Sequence, residues 1–172
     1  MMKEAWIIDA CRTPRGIGKV GKGSLAGIHP QQLGATVLKA LAERTKLNTA
    51  DVDDIIWGTS SQRGEQSGDL GRMAALTAGY DVKSSSVTLD RFCGSGITVV
   101  NLAAASIMSG MEDVVIAGGT EMMSNYGQNG NDPSMFLDNG NMVLREVHPQ
   151  PHQGVCGDAI ATLEGITRED LD

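Results

Sequence analysis

Two rhythms of apolar residues run through this chain. Ala5 to Ala10, "AWIIDA", is a short continuous apolar run closed by Arg-Thr-Pro-Arg-Gly, a pattern that suits a buried strand. The glycine- and lysine-rich stretch "GIGKVGKG" follows and reads as a loop. From Pro30, which suits a first turn, Leu33, Val37, Leu41 and Leu47 recur near helical spacing. Ile55 to Thr59 reads as a second strand. Asp69 is a candidate N-cap for a run of Ala, Met and Leu that Gly79 stops. Ser85 to Phe92, "SSVTLDRF", is β-branched and alternating, which predicts a third strand leading into Cys93. Beyond it Ile97, Val100, Ala104, Ile107 and Met108 share one helical face up to Gly110, and Val114 to Ala117 forms the core of a fourth strand of the kind buried on both faces.

Helices alternating with such strands predict an α/β layered domain with parallel pairing. The periodicity is lost from Ser124 to Val155, where Asn, Gly, Asp, Pro, Met and Gln dominate. This shift predicts a core over residues 1–122 and a loop-rich segment over 123–172. "GDAIATLEGITREDLD" then starts a helix and carries a second capping signal at Thr167 to Asp170, at which the chain stops in mid-pattern.

The 172 residues carry 14 Lys+Arg against 21 Asp+Glu, a net charge of -7, which argues against nonspecific binding to nucleic acid or to an anionic membrane. No run is expected to reach a membrane span, and the N-terminus lacks the apolar core of a secretory signal, so a cytoplasmic location is expected. Three scattered cysteines, Cys11, Cys93 and Cys156, form neither a disulfide framework nor a C-x-x-C metal pair, and free thiols are expected.

Of these thiols, Cys93 stands where a strand turns into a helix and is followed by Gly-Ser-Gly. In open α/β sheets ligands bind at that edge. A cysteine at a helix N-terminus meets unpaired amides and the positive end of the dipole, which favours the thiolate. Gly94 and Gly96 allow a tight turn and an approach of a substrate carbonyl to backbone amides. The residue types alone leave two readings open: an activated nucleophile, or a small buried apolar side chain.

Four segments together resemble the thiolase family, the acetyl-CoA acetyltransferases and 3-ketoacyl-CoA thiolases: "RTP" at 12–14, "RFCGSG" at 91–96, "VIAGGTEMMS" at 115–124 and "HQG" at 152–154. The resemblance implies a thiolase-like layered α/β domain, a mixed and mostly parallel sheet covered by helices, truncated and followed by the start of a loop domain over the active site. It implies that Cys93 takes an acyl group from acyl-CoA, with its own amide helping to bind the thioester oxyanion. A Claisen condensation with acetyl-CoA, or thiolysis in reverse, would follow. It places His152 and Gln153 near the bound acyl group and the thiol end of CoA. It implies CoA thioesters as substrates, no permanently bound cofactor or metal, and a homo-oligomer or a complementary C-terminal half as partner. In the family, the histidine that activates the nucleophile and a second cysteine that acts as base lie in a C-terminal half beyond these 172 residues. Gln153, where many thiolases have Met, leaves the acyl-chain preference open. The rival expectations are a ketoacyl-synthase-type condensing enzyme, and a non-catalytic half-domain that works through a partner chain.

Other candidates weigh less. "GIGKVG" at 16–21 matches G-x-G-x-x-G, but it stands apart from the strand, opens no helix and lacks the acidic ribose ligand. His148, His152 and Cys156 have a helical metal-ligand spacing that Pro149 and Pro151 forbid. Glu121, Met122 and Met123 are expected to serve an ion pair and packing, and Arg72 to Leu76 packing or a dimer interface.

Overall fold

The computed structural model describes residues 4–125 and 137–172. By internal contacts the chain divides into two compact units, Met1–Asn131 and Asp132–Asp172.

The first unit is built on three parallel strands, β1 (Asp54–Gly58), β2 (Ser85–Leu89) and β3 (Val115–Gly119), in the order β2-β1-β3. Ile55 stands opposite Ser86 on one side and Ile116 on the other, and Trp57 opposite Thr88 and Gly118. The central strand is buried on both faces, which explains its unbroken apolar text.

Three helices fill the connections. In α1 (Pro30–Thr45), His29 caps the first turn through its side chain, and Pro30 occupies the position where a missing N–H costs nothing. In α2 (Leu70–Ala78), Asp69 accepts the Arg72 N–H and the Thr88 hydroxyl, and Gly79 ends the helix at φ 82°. In α3 (Ser95–Ser109), Gly110 ends the helix at φ 81°. The expected caps are thus the observed ones. α1 packs on α2, and α2 on β1 and β2, while α3 lies against β1 and β3.

Residues alternate across a strand, so Ile55 and Trp57 face α1 and α2 while Ile56 and Gly58 face α3. The core on the first face gathers Leu38, Val52, Ile55, Trp57, Leu70, Ala74, Ala75, Tyr80 and Ile116. The Tyr80 hydroxyl donates to Leu38 O at 2.9 Å, and burial pushes its pKa up to about 12. At the opposite end of the sheet the Asp53 carboxylate accepts the N–H groups of Val114 and Asp113, which fixes the entry of β3 and holds its pKa below the usual carboxylate range. Arg72 donates to the carbonyls of Ser84 and Val82, so its place is structural.

Two expectations need correction. Residues 5–10 form no strand: Trp6, Ile7 and Ile8 are 76%, 83% and 80% exposed. An apolar run favours extended backbone, but a strand also requires a partner for its ladder, and none stands beside this run among the described residues. The chain also does contain a segment of near-membrane composition, Phe92–Ser109, with a mean hydropathy of 1.5 over 18 residues. Its helix seats Ser95, Thr98 and Val99 on the sheet and leaves Ile97, Val100, Leu102 and Met108 exposed on its outer side.

Residues 126–136 of the expected loop-rich stretch lie outside the described residues. The remainder is more regular than its composition suggests. A short α4 (Met142–Val147) is capped by Asn141, and Asp138 and Arg145 form an ion pair at 2.6 Å. α5 (Gln153–Glu164) and α6 (Arg168–Leu171) follow, the latter opened by the expected capping box of Thr167 and Asp170.

Trp57 leaves no room for a side chain at the glycines packed against it. A Cβ on Gly118 would lie 2.3 Å from Trp57 Cζ3, and one on Gly71 would lie 2.5 Å from Trp57 Cβ. Gly118→Ala is therefore expected to destabilise the domain by about 1–3 kcal/mol, read as a lowered denaturant midpoint. An unchanged midpoint would mean that Trp57 is free to move aside.

Candidate active site

The site forms at the carboxyl ends of the three strands, where open α/β sheets bind ligands. After Leu89 the chain turns through Asp90, Arg91 and Phe92 and enters α3 at Ser95, with Gly94 as N-cap. Cys93 lies just ahead of that cap and is exposed. The reading of Cys93 as a buried apolar side chain is thereby excluded.

The turn is strained. Phe92 has φ 49°, a left-handed conformation that costs a non-glycine residue about 1–2 kcal/mol. Local hydrogen bonds hold it. The Phe92 N–H donates to Asp90 Oδ1 at 2.7 Å, and the hydroxyl of Ser95 donates to Phe92 O at 2.6 Å while accepting the Arg91 N–H at 2.9 Å. Ser95 is 5% exposed, and its backbone lies against Gly58, where a Cβ would be 3.1 Å from Ser95 Cβ. A sharp strand-to-helix turn of this kind lifts its nucleophile above the sheet edge.

The amides divide differently from the expectation. Those of Gly94 and Ser95 are occupied by Arg91 O at 3.0 Å and Phe92 O at 3.1 Å, so they close the turn rather than face a ligand. Gly96 meets no other group within 4 Å of where a Cβ would stand, which leaves the approach past it open.

Cys93 borders a cavity of about 570 Å³ together with Gly58, Thr59 and Ser60 at the end of β1, Gly119, Thr120 and Glu121 at the end of β3, and Gly96, Val99 and Val100 of α3. Glu121 forms part of its wall. Its Oε2 accepts Ser60 N and Ser60 Oγ, each at 2.6 Å, and its Oε1 accepts Gln66 Nε2 at 3.0 Å. Glu121 thus joins two loops. Met122 is buried, as its packing role requires, and Met123 is half exposed and lines the cavity.

His152 and Gln153 belong to the second unit. His152 is the N-cap of α5, where its Nδ1 accepts the Gly154 N–H at 3.1 Å, and Gln153 is the first helical residue. This cap gives His152 a structural task and leaves Nε2 for an outside partner. His148 ends α4, so the two prolines separate it from His152 and Cys156, which share the first turn of α5. Among the described residues no three His, Cys, Asp or Glu side chains converge as a metal site. The 16–21 glycine loop has no regular helix or strand and bends at Gly21, φ 68°.

Ser95, Thr59, Ser60 and Gln66 are the site residues that sequence reasoning passed over. Only Ser95 had a signal, its place inside Cys-Gly-Ser-Gly.

Residues 5–172 match the family model described as the N-terminal domain of thiolase. A steroid 3-ketoacyl-CoA thiolase of Mycobacterium tuberculosis is 46% identical over 124 residues, 72% of this chain and 30% of that protein. A 3-ketoacyl-CoA thiolase of Bacillus subtilis is 35% identical over 173 residues, 99% of this chain and 42% of that protein. Among solved structures, the acetyl-CoA acetyltransferase of Bacillus anthracis superposes with a TM-score of 0.62 at 35% identity, covering 69% of this chain and 29% of that one. The chain thus spans less than half the length of the relatives it matches.

The Ser95 hydroxyl bridges two backbone groups of the strained turn, and Ser95→Ala leaves both without that partner. The expected loss is about 1–3 kcal/mol of unfolding free energy, measured by urea titration. A variant as stable as the parent would show that the turn holds without Ser95.

Proposed function

The chain belongs to the thiolase family, and from that premise we propose that it carries the acyl-accepting half of a CoA-dependent acyltransferase, with Cys93 as the nucleophile. One observation carries the reading. A single exposed thiol stands on a strained, internally braced turn at the carboxyl edge of a parallel sheet, bordering a cavity.

The chemistry follows from the thiolate, the reactive form of cysteine. Its sulfur attacks the carbonyl carbon of an acyl-CoA thioester, the carbonyl oxygen takes up negative charge, and the amide of Cys93 offers it a donor. As the tetrahedral adduct collapses, the bond from carbon to the CoA sulfur breaks and CoA leaves as a thiolate that gains a proton from solvent. Thioester exchange is close to balanced, because the leaving and entering groups are both thiols. Transfer of the acyl group to the α-carbon of a second acetyl-CoA gives a 3-ketoacyl-CoA, and thiolysis is the same path reversed. That second step needs a base at the α-carbon, which we assign to a complementary C-terminal half. His152 and Gln153 are proposed to meet the acyl-CoA through the outward Nε2 and the Gln153 amide. CoA thioesters enter as substrates, and no permanently bound cofactor is invoked.

The reading that this domain works only with a partner surface is favoured by a separate observation, the apolar outer side of α3 with Ile97 71% exposed. A second copy of the chain or a C-terminal half would cover it. The two readings are compatible where that partner is a C-terminal half, which would also bring the base for the second step.

Mixing the chain with excess acetyl-CoA and titrating released CoA distinguishes acylation from mere binding. One equivalent of CoA per chain is expected from the parent and none from Cys93→Ala. No release from a parent whose Cys93 still reacts with iodoacetamide would overturn the proposal.

A further inference from the structure

Gln66 is only 1% exposed and lies in a short 3-10 turn (Gly64–Gln66) between β1 and α2. A buried amide costs stability unless its donors and acceptor are paired. Here they are paired to two different loops. Its Nε2 reaches Ser61 O at 2.9 Å and Thr59 Oγ1 at 3.2 Å on the segment leaving β1, and Glu121 Oε1 at 3.0 Å on the segment leaving β3. Its Oε1 accepts the Met122 N–H at 2.5 Å.

The ladder between these strands ends nearby. Between β1 and β3 Thr120 N donates to Gly58 O at 3.1 Å, and on the other side of β1 Thr59 N donates to Leu89 O, also at 3.1 Å. Past Thr59 and Thr120 the side chains of Gln66 and Glu121 join the two segments. The joined segments are also the wall of the Cys93 cavity, in which Thr59, Ser60 and Glu121 take part. Gln66 itself does not line the cavity. We propose that Gln66 is a positioning residue of the Cys93 site: its side-chain amide clamps the loop after β1 to the loop after β3 and so fixes the width of the cavity from which Cys93 is approached. This rests on the reading of Cys93 as the reacting thiol, but not on the identity of its acyl donor.

The experiment compares two alkylating reagents on the purified chain, iodoacetamide and its bulkier N-benzyl derivative. In both, the Cys93 thiolate forms a sulfur–carbon bond, the carbon–iodine bond breaks, iodide leaves and the thiol proton passes to water. Both need the same thiolate, so the ratio of their rates at Cys93, followed by peptide mass, cancels its ionisation. Gln66→Leu keeps approximate size and removes the four bonds of the Gln66 amide while leaving those of Glu121 to Ser60, and it is expected to raise the bulky-to-small ratio by about five-fold. A ratio unchanged in a Leu variant that unfolds as cooperatively as the parent would overturn the proposal.

Gln66→Glu gives a test within one protein, usable should the Leu variant fail to fold. Protonated, the new side chain again offers a donor beside a carbonyl acceptor. Ionised, it opposes the Glu121 carboxylate and Ser61 O. Burial and the facing Glu121 carboxylate disfavour its ionised form, so its ratio is expected to match the parent at about pH 6 and to rise toward the Leu value at about pH 9, while the parent ratio stays flat. A ratio that stays at the parent value from pH 6 to pH 9 would contradict the clamp. Loss of CoA release from the parent would count against the acyl-transfer reading alone, because the alkylation ratio does not depend on it.

Discussion

The seat of Trp57 is the constraint on which the rest of this domain depends. The indole stands on the central strand, 1% exposed, with its Nε1 donating to Thr120 Oγ1 at 3.1 Å. Glycines admit it from three directions: Gly118 on β3, Gly71 on α2 and Gly34 on α1 each have their missing Cβ within 3.1 Å of a Trp57 atom. One large side chain thus sets how closely a neighbouring strand and two helices approach β1. Aromatic burial of this size dominates a small core. Because Thr120 ends the ladder beside the cavity, the same contact that closes the core also locates the cavity wall.

The turn ahead of α3 is a local answer to a different problem, that of holding an exposed thiol at a sheet edge without unfolding the strand behind it. The positive φ of Phe92 works against folding, and the bonds made by Asp90 and Ser95 offset it within a few residues. Across the cavity, side-chain bonds join the loops beyond β1 and β3, those of the Glu121 carboxylate to Ser60 and to the buried Gln66 amide. A network with every member paired rigidifies, whereas a half-paired one weakens. Those bonded groups give a fixed edge to a cavity lined elsewhere by Val99, Val100 and Met123.

Much of this was legible in the sequence, for identifiable reasons. Asp69, Gly79, Gly110 and the Thr167–Asp170 pair read correctly because capping is local chemistry. The strands around Ile55, Val87 and Ile116 read correctly because each is an apolar or β-branched run bounded by turns. Residues 5–10 did not, since an apolar run reports a preference for burial while a strand is a property of a pair. α4 was hidden in polar text because Asn141 and the Asp138–Arg145 pair support a helix too short for periodicity to show. Cys93 was visible by its position between two rhythms. Gln66 was not, because its partners are distant in sequence, up to 56 residues away at Met122, and a lone Gln among Gly, Glu and Ser carries no pattern.

The central claim is that the turn, rather than thiol chemistry in general, selects the acyl acceptor. The chain supplies its own controls, since Cys11, half-buried with its thiol toward Val37 O, and Cys156, half-buried near Pro151 O, lie outside the turn. The most direct measurement is a peptide map after exposure to acetyl-CoA at less than one equivalent, locating the acetyl group among the three cysteines. The account predicts label on Cys93 alone. Label spread over the three thiols in proportion to their exposure would contradict it.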